Sequence, residues 1–188
     1  MSATGDRLEA AWIGPSPRDA PTLVFLHEGL GCVALWRDFP ARLADITGCG
    51  ALVYSRLGYG GSAPCPLPRR PDFMHHEGGD LKARLFPYHG ENTHCAFWGW
   101  NDVWLHPDFR QWQIGALLPS IHVPVLAIQG ETDPYGSLGQ LDVIQAKTGD
   151  GLTVEVIADC GHAPHLEKPD TVLAAISAFM KHRINSID

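Results

Sequence analysis

The sequence predicts an α/β protein, a three-layer α/β/α sandwich built on a mainly parallel sheet. Short β-rich apolar runs recur at 22–26, 51–54 and 123–128. These runs are continuously apolar, as expected of strands covered on both faces. Stretches with helical spacing separate them, and alternating strands and helices place successive strands parallel. A chain of 188 residues fits one domain spanning 1–188 and is long enough to bury a working core.

Residues 8–13 have strand character and end at the turn signal Gly14-Pro15-Ser16-Pro17. The run 22–26 is expected to be a central strand, broken by Gly29 and Gly31. A helix follows over 35–46, with Trp36, Phe39, Leu43 and Ile46 on one face. Thr47-Gly48-Cys49-Gly50 stops it, and 51–54 is the next strand, closing a right-handed strand–helix–strand unit. From Arg56 to Gly79 the chain is rich in Gly and Pro and reads as a long loop. Helices are expected over 80–88 and within the tryptophan-dense stretch 97–114, so that 76–118 forms a cap-like or crossover helical region. The strand at 123–128 precedes a helix at 137–147, patterned by Leu138, Leu141 and Ile144. An alternating strand at 152–157 lies nearer the sheet edge, and an amphipathic helix over 170–184 closes the chain with Val172, Ile176, Phe179 and Met180 inward.

A formal charge of -7 disfavours a sequence-independent grip on nucleic acid or anionic lipid. No apolar run approaches membrane-spanning length, and the first residues lack the basic and apolar regions of a signal peptide, so a cytoplasmic location is expected. The five cysteines, Cys32, Cys49, Cys65, Cys95 and Cys160, are odd in number and never form C-x-x-C, which predicts reduced, mostly buried thiols. His75, His76, His89, His94 and His106 match no zinc spacing and read as solvated loop residues. No metal and no cofactor is expected.

The chemistry concentrates in the last third. Gly130-Glu131-Thr132-Asp133-Pro134-Tyr135-Gly136 follows one predicted strand, and Cys160-Gly161-His162-Ala163-Pro164-His165-Leu166-Glu167-Lys168-Pro169 follows the next. An acid on one strand-end loop and a histidine on the next supply two thirds of a nucleophile–base–acid triad. The third member belongs on a G-x-S-x-G turn, and no such pentapeptide occurs in the chain.

With these residues in place, the chain resembles the α/β-hydrolase superfamily, most of all its single-domain esterase-like and lactonase-like members. The likeness rests on Leu26-His27-Glu28-Gly29-Leu30-Gly31 through Trp36, on Tyr54-Ser55-Arg56-Leu57-Gly58-Tyr59-Gly60-Gly61-Ser62, and on the acid and histidine loops. The resemblance implies an α/β-hydrolase fold, here truncated. His75-His76-Glu77-Gly78-Gly79 runs straight into Asp80-Leu81-Lys82, where relatives insert the nucleophile strand, its elbow and further elements. Central strands are thus missing near 77–80. Glu28 stands where many relatives carry glycine.

The resemblance implies that His162 is the general base and Asp133 the acid that fixes its tautomer. Asp133 also suits an Asx turn before Pro134, and His165 reads as structural. Gly29 is the implied backbone donor to a developing oxyanion, or else a plain turn glycine. Nucleophile candidates near the strand ends are Ser55, Ser62 and Cys32, with Ser137 behind the acid loop, and none stands on a strand-to-helix turn. Their plain readings are loop hydrogen-bonders for Ser55 and Ser62, a packing thiol for Cys32 and a helix N-cap for Ser137. The tryptophans either line an acyl pocket or pack on the sheet.

The missing strands leave 23–26 and 125–128 without their neighbours. Direct pairing of these two strands within the chain is the simpler solution, and a homodimer through exposed sheet edges is the alternative. The expected activity is hydrolysis of a small-molecule ester or related acyl substrate. Its rivals are a non-catalytic binding module that has lost the nucleophile, and a deletion product that folds poorly.

Overall fold

The computed structural model describes residues 5–64, 79–148 and 151–184. The chain separates into two compact units, Met1–Gln111 and Trp112–Asp188.

In the first unit, β1 (Ala10–Ile13), β2 (Thr22–Leu26) and β3 (Gly50–Tyr54) form a sheet in the order β1-β3-β2. β1 runs antiparallel to β3, and β2 runs parallel to it with Val24 beside Leu52. The central strand is therefore β3, whose Ala51 and Val53 are buried. The expectation that β2 is central and covered on both faces is corrected. It is an edge strand, with Val24 55% and Leu26 67% exposed. The physical reason is that one face of β2 carries Phe25, buried against Trp36, while the face carrying Val24 and Leu26 is left open among the described residues.

The predicted helix at 35–46 divides in two. A 3-10 turn, Val33–Trp36, ends at Arg37, whose φ of 52° breaks the helical phase. Helix α1 (Phe39–Thr47) then restarts with Pro40 in its first turn, where the missing N–H costs nothing. It buries Phe39, Leu43 and Ala44 and packs against β3 and β1. Ile46, in its last turn, stands 49% exposed rather than inward.

Helices α2 (Gly79–His89) and α3 (Thr93–Leu105) pack together around Leu85, Phe97 and Trp98, with Leu30 laid against the cluster. Of the expected tryptophan packing, Trp98 is buried, while Trp104 and Trp112 are exposed. Residues 77 and 78 of the junction near 77–80, with Cys65, His75 and His76, fall outside the described residues, and 79 and 80 open α2. Among the described residues, no strand intervenes between Tyr54 and Val125.

The second unit holds β4 (Val125–Gly130) and β5 (Leu152–Ile157), paired in parallel from Val125 beside Leu152 to Gly130 beside Ile157. Helix α4 (Gly139–Thr148) packs on β5, and the short α5 (Pro164–Glu167) and the long α6 (Pro169–Ile184) pack on β4. The inward face of α6 is set by Val172, Leu173 and Ser177, all buried, with Ile176, Phe179 and Met180 half-buried beside them. Among the described residues β2 pairs with β3 and β4 with β5, each inside its own unit, so the expected ladder between the strands at 23–26 and 125–128 is not among the pairings.

Candidate active site

Two parallel neighbours deliver their following loops to the same strand ends, and this alone brings 131–136 and 158–163 together. The approach is close. A Cβ on Gly130 would collide with the carbonyl oxygens of Gly161 and Cys160, so the crossing admits only glycine. The loops are then tied by backbone bonds. The Glu131 N–H donates to the Ile157 carbonyl (2.9 Å), and the Thr132 N–H and hydroxyl both donate to the Cys160 carbonyl, each at 3.0 Å.

On this frame His162 meets Asp133. The imidazole Nδ1 lies 3.1 Å from Oδ1 and 3.0 Å from Oδ2. An ionised carboxylate only accepts, so Nδ1 carries the proton and Nε2 presents its lone pair. The Asp133 side chain is 7% exposed and the His162 side chain 60%, so the acid is covered while the imidazole faces outward. Asp133 Oδ1 also accepts the backbone N–H groups of Tyr135 (2.8 Å) and Gly136 (3.3 Å), which is the predicted Asx turn. The His162 hydrogen bond, followed by the Tyr135 N–H, holds the Asp133 carboxyl below its usual range.

Glu167 fastens the histidine loop. Its carboxylate accepts the N–H groups of Gly161 (2.7 Å) and Ala163 (3.0 Å), the residues either side of His162, and these two bonds lower its pKa. Gln129, 5% exposed, fastens the acid loop by donating to the Gly136 carbonyl (2.6 Å) while accepting from Gln140 (2.8 Å). Sequence reasoning assigned no role to Gln129, Tyr135 or Glu167. The G-H-x-P-H-x-E spacing was a usable signal for Glu167, since five residues after a loop histidine fall in the first turn of a following helix. A strand-end glutamine carries no comparable signal.

Ser137 is exposed at the approach to α4, and its carbonyl accepts the Gln140 N–H (3.2 Å). The other nucleophile candidates sit in the first unit with their groups engaged. Ser55, fully buried, donates its hydroxyl to Glu9 Oε2 (2.6 Å) and accepts the Val33 N–H (2.9 Å). Ser62, 3% exposed, donates to the Ser55 carbonyl (2.7 Å) and accepts the Glu9 N–H (2.9 Å). Cys32 is fully buried, and burial pushes its thiol pKa up, away from the thiolate that reacts. None of the three presents a free nucleophile.

The loop carrying Gly29 is anchored by two neutral histidines. His27 Nε2 accepts the Arg56 N–H (3.0 Å), so its Nδ1 donates to the Glu28 carbonyl (2.8 Å). His89 Nδ1 accepts the Gly60 N–H (2.9 Å), so its Nε2 donates to the Leu30 carbonyl (2.9 Å). Burial lowers both pKa values, and the Tyr59 ring lies between the two imidazoles, at 5.1 and 5.9 Å. The reading of His89 as a solvated loop residue is corrected, since it is 2% exposed. The reason is the strand-end architecture, which folds the 27–31 and 56–62 loops over the end of α2. His94 is exposed, as expected, but stands in the first turn of α3 rather than on a loop. At Gly29 itself the Trp100 indole packs where a Cβ would stand, and Glu28 turns its carboxylate onto the Leu30 N–H (2.6 Å).

Among the described residues, Cys32, Cys49, Cys95 and Cys160 are free thiols and no cluster of His, Cys, Asp or Glu is arranged to hold a metal. No helix among them is long and apolar enough to cross a membrane.

The chain alternates strands and helices around parallel strand pairs, and solved structures share its fold. The fold is that of the α/β-hydrolases. An esterase from Thermogutta terrifontis is similar over 97% of this chain and 96% of its own, at 15% identity and a TM-score of 0.69. Est816, described as an N-acyl homoserine lactone degrading enzyme, is similar over 95% and 98%, at 15% identity and a TM-score of 0.69. A proline iminopeptidase from Mycobacterium smegmatis is similar over 98% and 97%, at 17% identity and a TM-score of 0.63. No protein-family model and no curated protein matches the sequence.

Proposed function

We propose that the chain hydrolyses a small ester or related acyl substrate, with His162 as general base, Asp133 as its orienting acid and water as the nucleophile. The observation that carries this reading is the bond from His162 Nδ1 to the covered Asp133 carboxylate at 3.0 Å, which leaves Nε2 outward on a 60% exposed side chain. An imidazole so held takes a proton from water as the water attacks the acyl carbon. It then returns the proton to the leaving oxygen, and the imidazolium formed between the two steps is stabilised by Asp133. Esterase and lactonase activities among proteins of the same fold support the choice of acyl substrates.

Water is assigned because Ser55, Ser62 and Cys32 are occupied, and exposed Ser137 is the serine on which the fluorophosphonate probe below tests that assignment. A positioned general base contributes about 10²–10⁴-fold, so turnover is expected to be slow and confined to activated esters. The test is release of p-nitrophenol from p-nitrophenyl acetate, without a burst, by the wild type and His162→Ala, together with a fluorophosphonate probe. The expected result is a loss of about 10²-fold or more in the variant and no labelled serine. The chain has ten histidines, and exposed imidazoles catalyse this reaction weakly. A loss of only one tenth, the share of one histidine in ten, overturns the reading. A labelled serine whose replacement abolishes turnover overturns the assignment of water.

The same burial of Ser55, Ser62 and Cys32 favours a second reading, a binding module that keeps the paired loops without chemistry. It predicts equal rates for the wild type and His162→Ala.

A further inference from the structure

Tyr135 closes a three-membered ring of contacts around the acid–base pair. Its backbone N–H donates to Asp133 Oδ1 at 2.8 Å, Asp133 accepts from His162, and the Tyr135 ring meets the His162 ring at a centroid distance of 4.9 Å and an angle of 75°. That angle sets one ring edge-on to the face of the other, a favoured aromatic geometry. Tyr135 is 82% exposed, so it contributes little buried apolar surface to the core.

The carboxylate bond leaves something undone. Nδ1 lies almost equally far from both Asp133 oxygens, 3.1 and 3.0 Å. Such a forked bond fixes the position of Nδ1 but not the tilt of the ring about the line between the two groups. Nε2 sits on the far side of the imidazole, so a change in tilt swings the reacting lone pair most. With 60% of the His162 side chain open to solvent, the second constraint recorded on the ring is Tyr135.

We propose that Tyr135 is a positioning residue that sets the tilt of the His162 imidazole and so aims Nε2. The inference rests on the reading of His162 as base. The backbone N–H to Asp133 is kept by any non-proline residue at 135, so side-chain replacements isolate the ring. Tyr135→Phe keeps the ring, and Tyr135→Ala removes it while leaving the acid in place.

The experiment pairs kinetics with NMR of the His162 ring protons. In Tyr135→Ala, kcat for p-nitrophenyl acetate is expected to fall about ten- to a hundredfold, the scale of a misaimed catalytic group, with KM little changed. Tyr135→Phe is expected to retain wild-type kcat. Independently of turnover, the His162 ring protons should lose a ring-current shift in Tyr135→Ala and keep it in Tyr135→Phe. Unchanged kcat and unchanged ring-proton shifts in Tyr135→Ala overturn the proposal, as does a Phe variant that behaves like Ala. If His162→Ala proves as active as wild type, the base reading fails on that result alone, while the ring-proton shifts still decide whether the Tyr135 ring lies against the imidazole.

Discussion

Gly130→Ala tests the closest approach in the second unit. The added methyl meets the carbonyl oxygens of Gly161 and Cys160, both backbone atoms with no rotamer to change, whereas real Cβ atoms essentially never approach a neighbour within 3.0 Å. The two loops must therefore separate by about 1 Å, against the Thr132–Cys160 and Glu131–Ile157 bonds that close them. Overpacking of this kind costs about 1–3 kcal/mol. For a unit of this size each kcal/mol shifts Tm by roughly 4–8 °C, so a fall of about 4–24 °C is expected. Because Asp133 and His162 ride on the separated loops, ester hydrolysis should fall by about 10²-fold, the usual cost of a 1 Å misplacement. Thermal melts followed by circular dichroism, with the p-nitrophenyl acetate assay below the transition, measure both. A variant with wild-type Tm and wild-type rate refutes the claim that this crossing sets the pair's geometry.

Glu167→Gln removes the charge that accepts the Gly161 and Ala163 N–H groups. The Glu167 pKa is lowered in the fold, so its contribution is present above the ordinary carboxylate range and lost as pH falls through the lowered value. The variant should accordingly be less stable than the wild type at neutral pH, and the gap in urea midpoint between them should close as pH falls through the carboxylate range. His27 and His89 are held neutral by burial. Their contribution is therefore complete above the ordinary imidazole value of about 6.5 and declines as pH falls below it. Unfolding midpoints between pH 8 and 5 check this, and a His89→Gln chain should show a flatter profile. Ser55→Ala strands the Val33 N–H and leaves Glu9 Oε2 with the Gly61 N–H alone, so it should cost about 1–3 kcal/mol in denaturant unfolding without altering fluorophosphonate reactivity. Pairing of two copies through the open edge of β2 stays a proposal. A dimer in light scattering that Val24→Lys dissociates supports it, and a wild-type monomer refutes it.

Much of the fold was legible because its signals are local. The runs at 22–26, 51–54 and 152–157 are apolar and β-branched enough to announce strands, and β2, β3 and β5 lie within a residue of those limits. Helix α6 followed from its spacing, with Val172 buried as expected, though Leu173 and Ser177 rather than Ile176, Phe179 and Met180 complete its buried face. What failed was non-local. A run such as Thr22–Leu26 has the composition of a covered central strand, and nothing within it reveals that the neighbouring layer is missing. His89 misled for a related reason. A histidine after Pro87-Tyr88 looks like a loop residue until the Gly60 and Leu30 loops, 29 and 59 positions away, close over it.

Taken alone, the order of residues determined that an acid loop and a histidine loop follow consecutive strands, and that no G-x-S-x-G turn accompanies them. Both are properties of short segments, fixed by local propensity and spacing. Only the folded chain decided that Asp133 is covered while His162 is open, that Tyr135 lies against the imidazole, and that Ser55, Ser62 and Cys32 are spent inside the first unit. Those outcomes depend on which groups from distant segments share hydrogen bonds and solvent, and burial and pairing across tens of residues leave no periodic trace in the sequence.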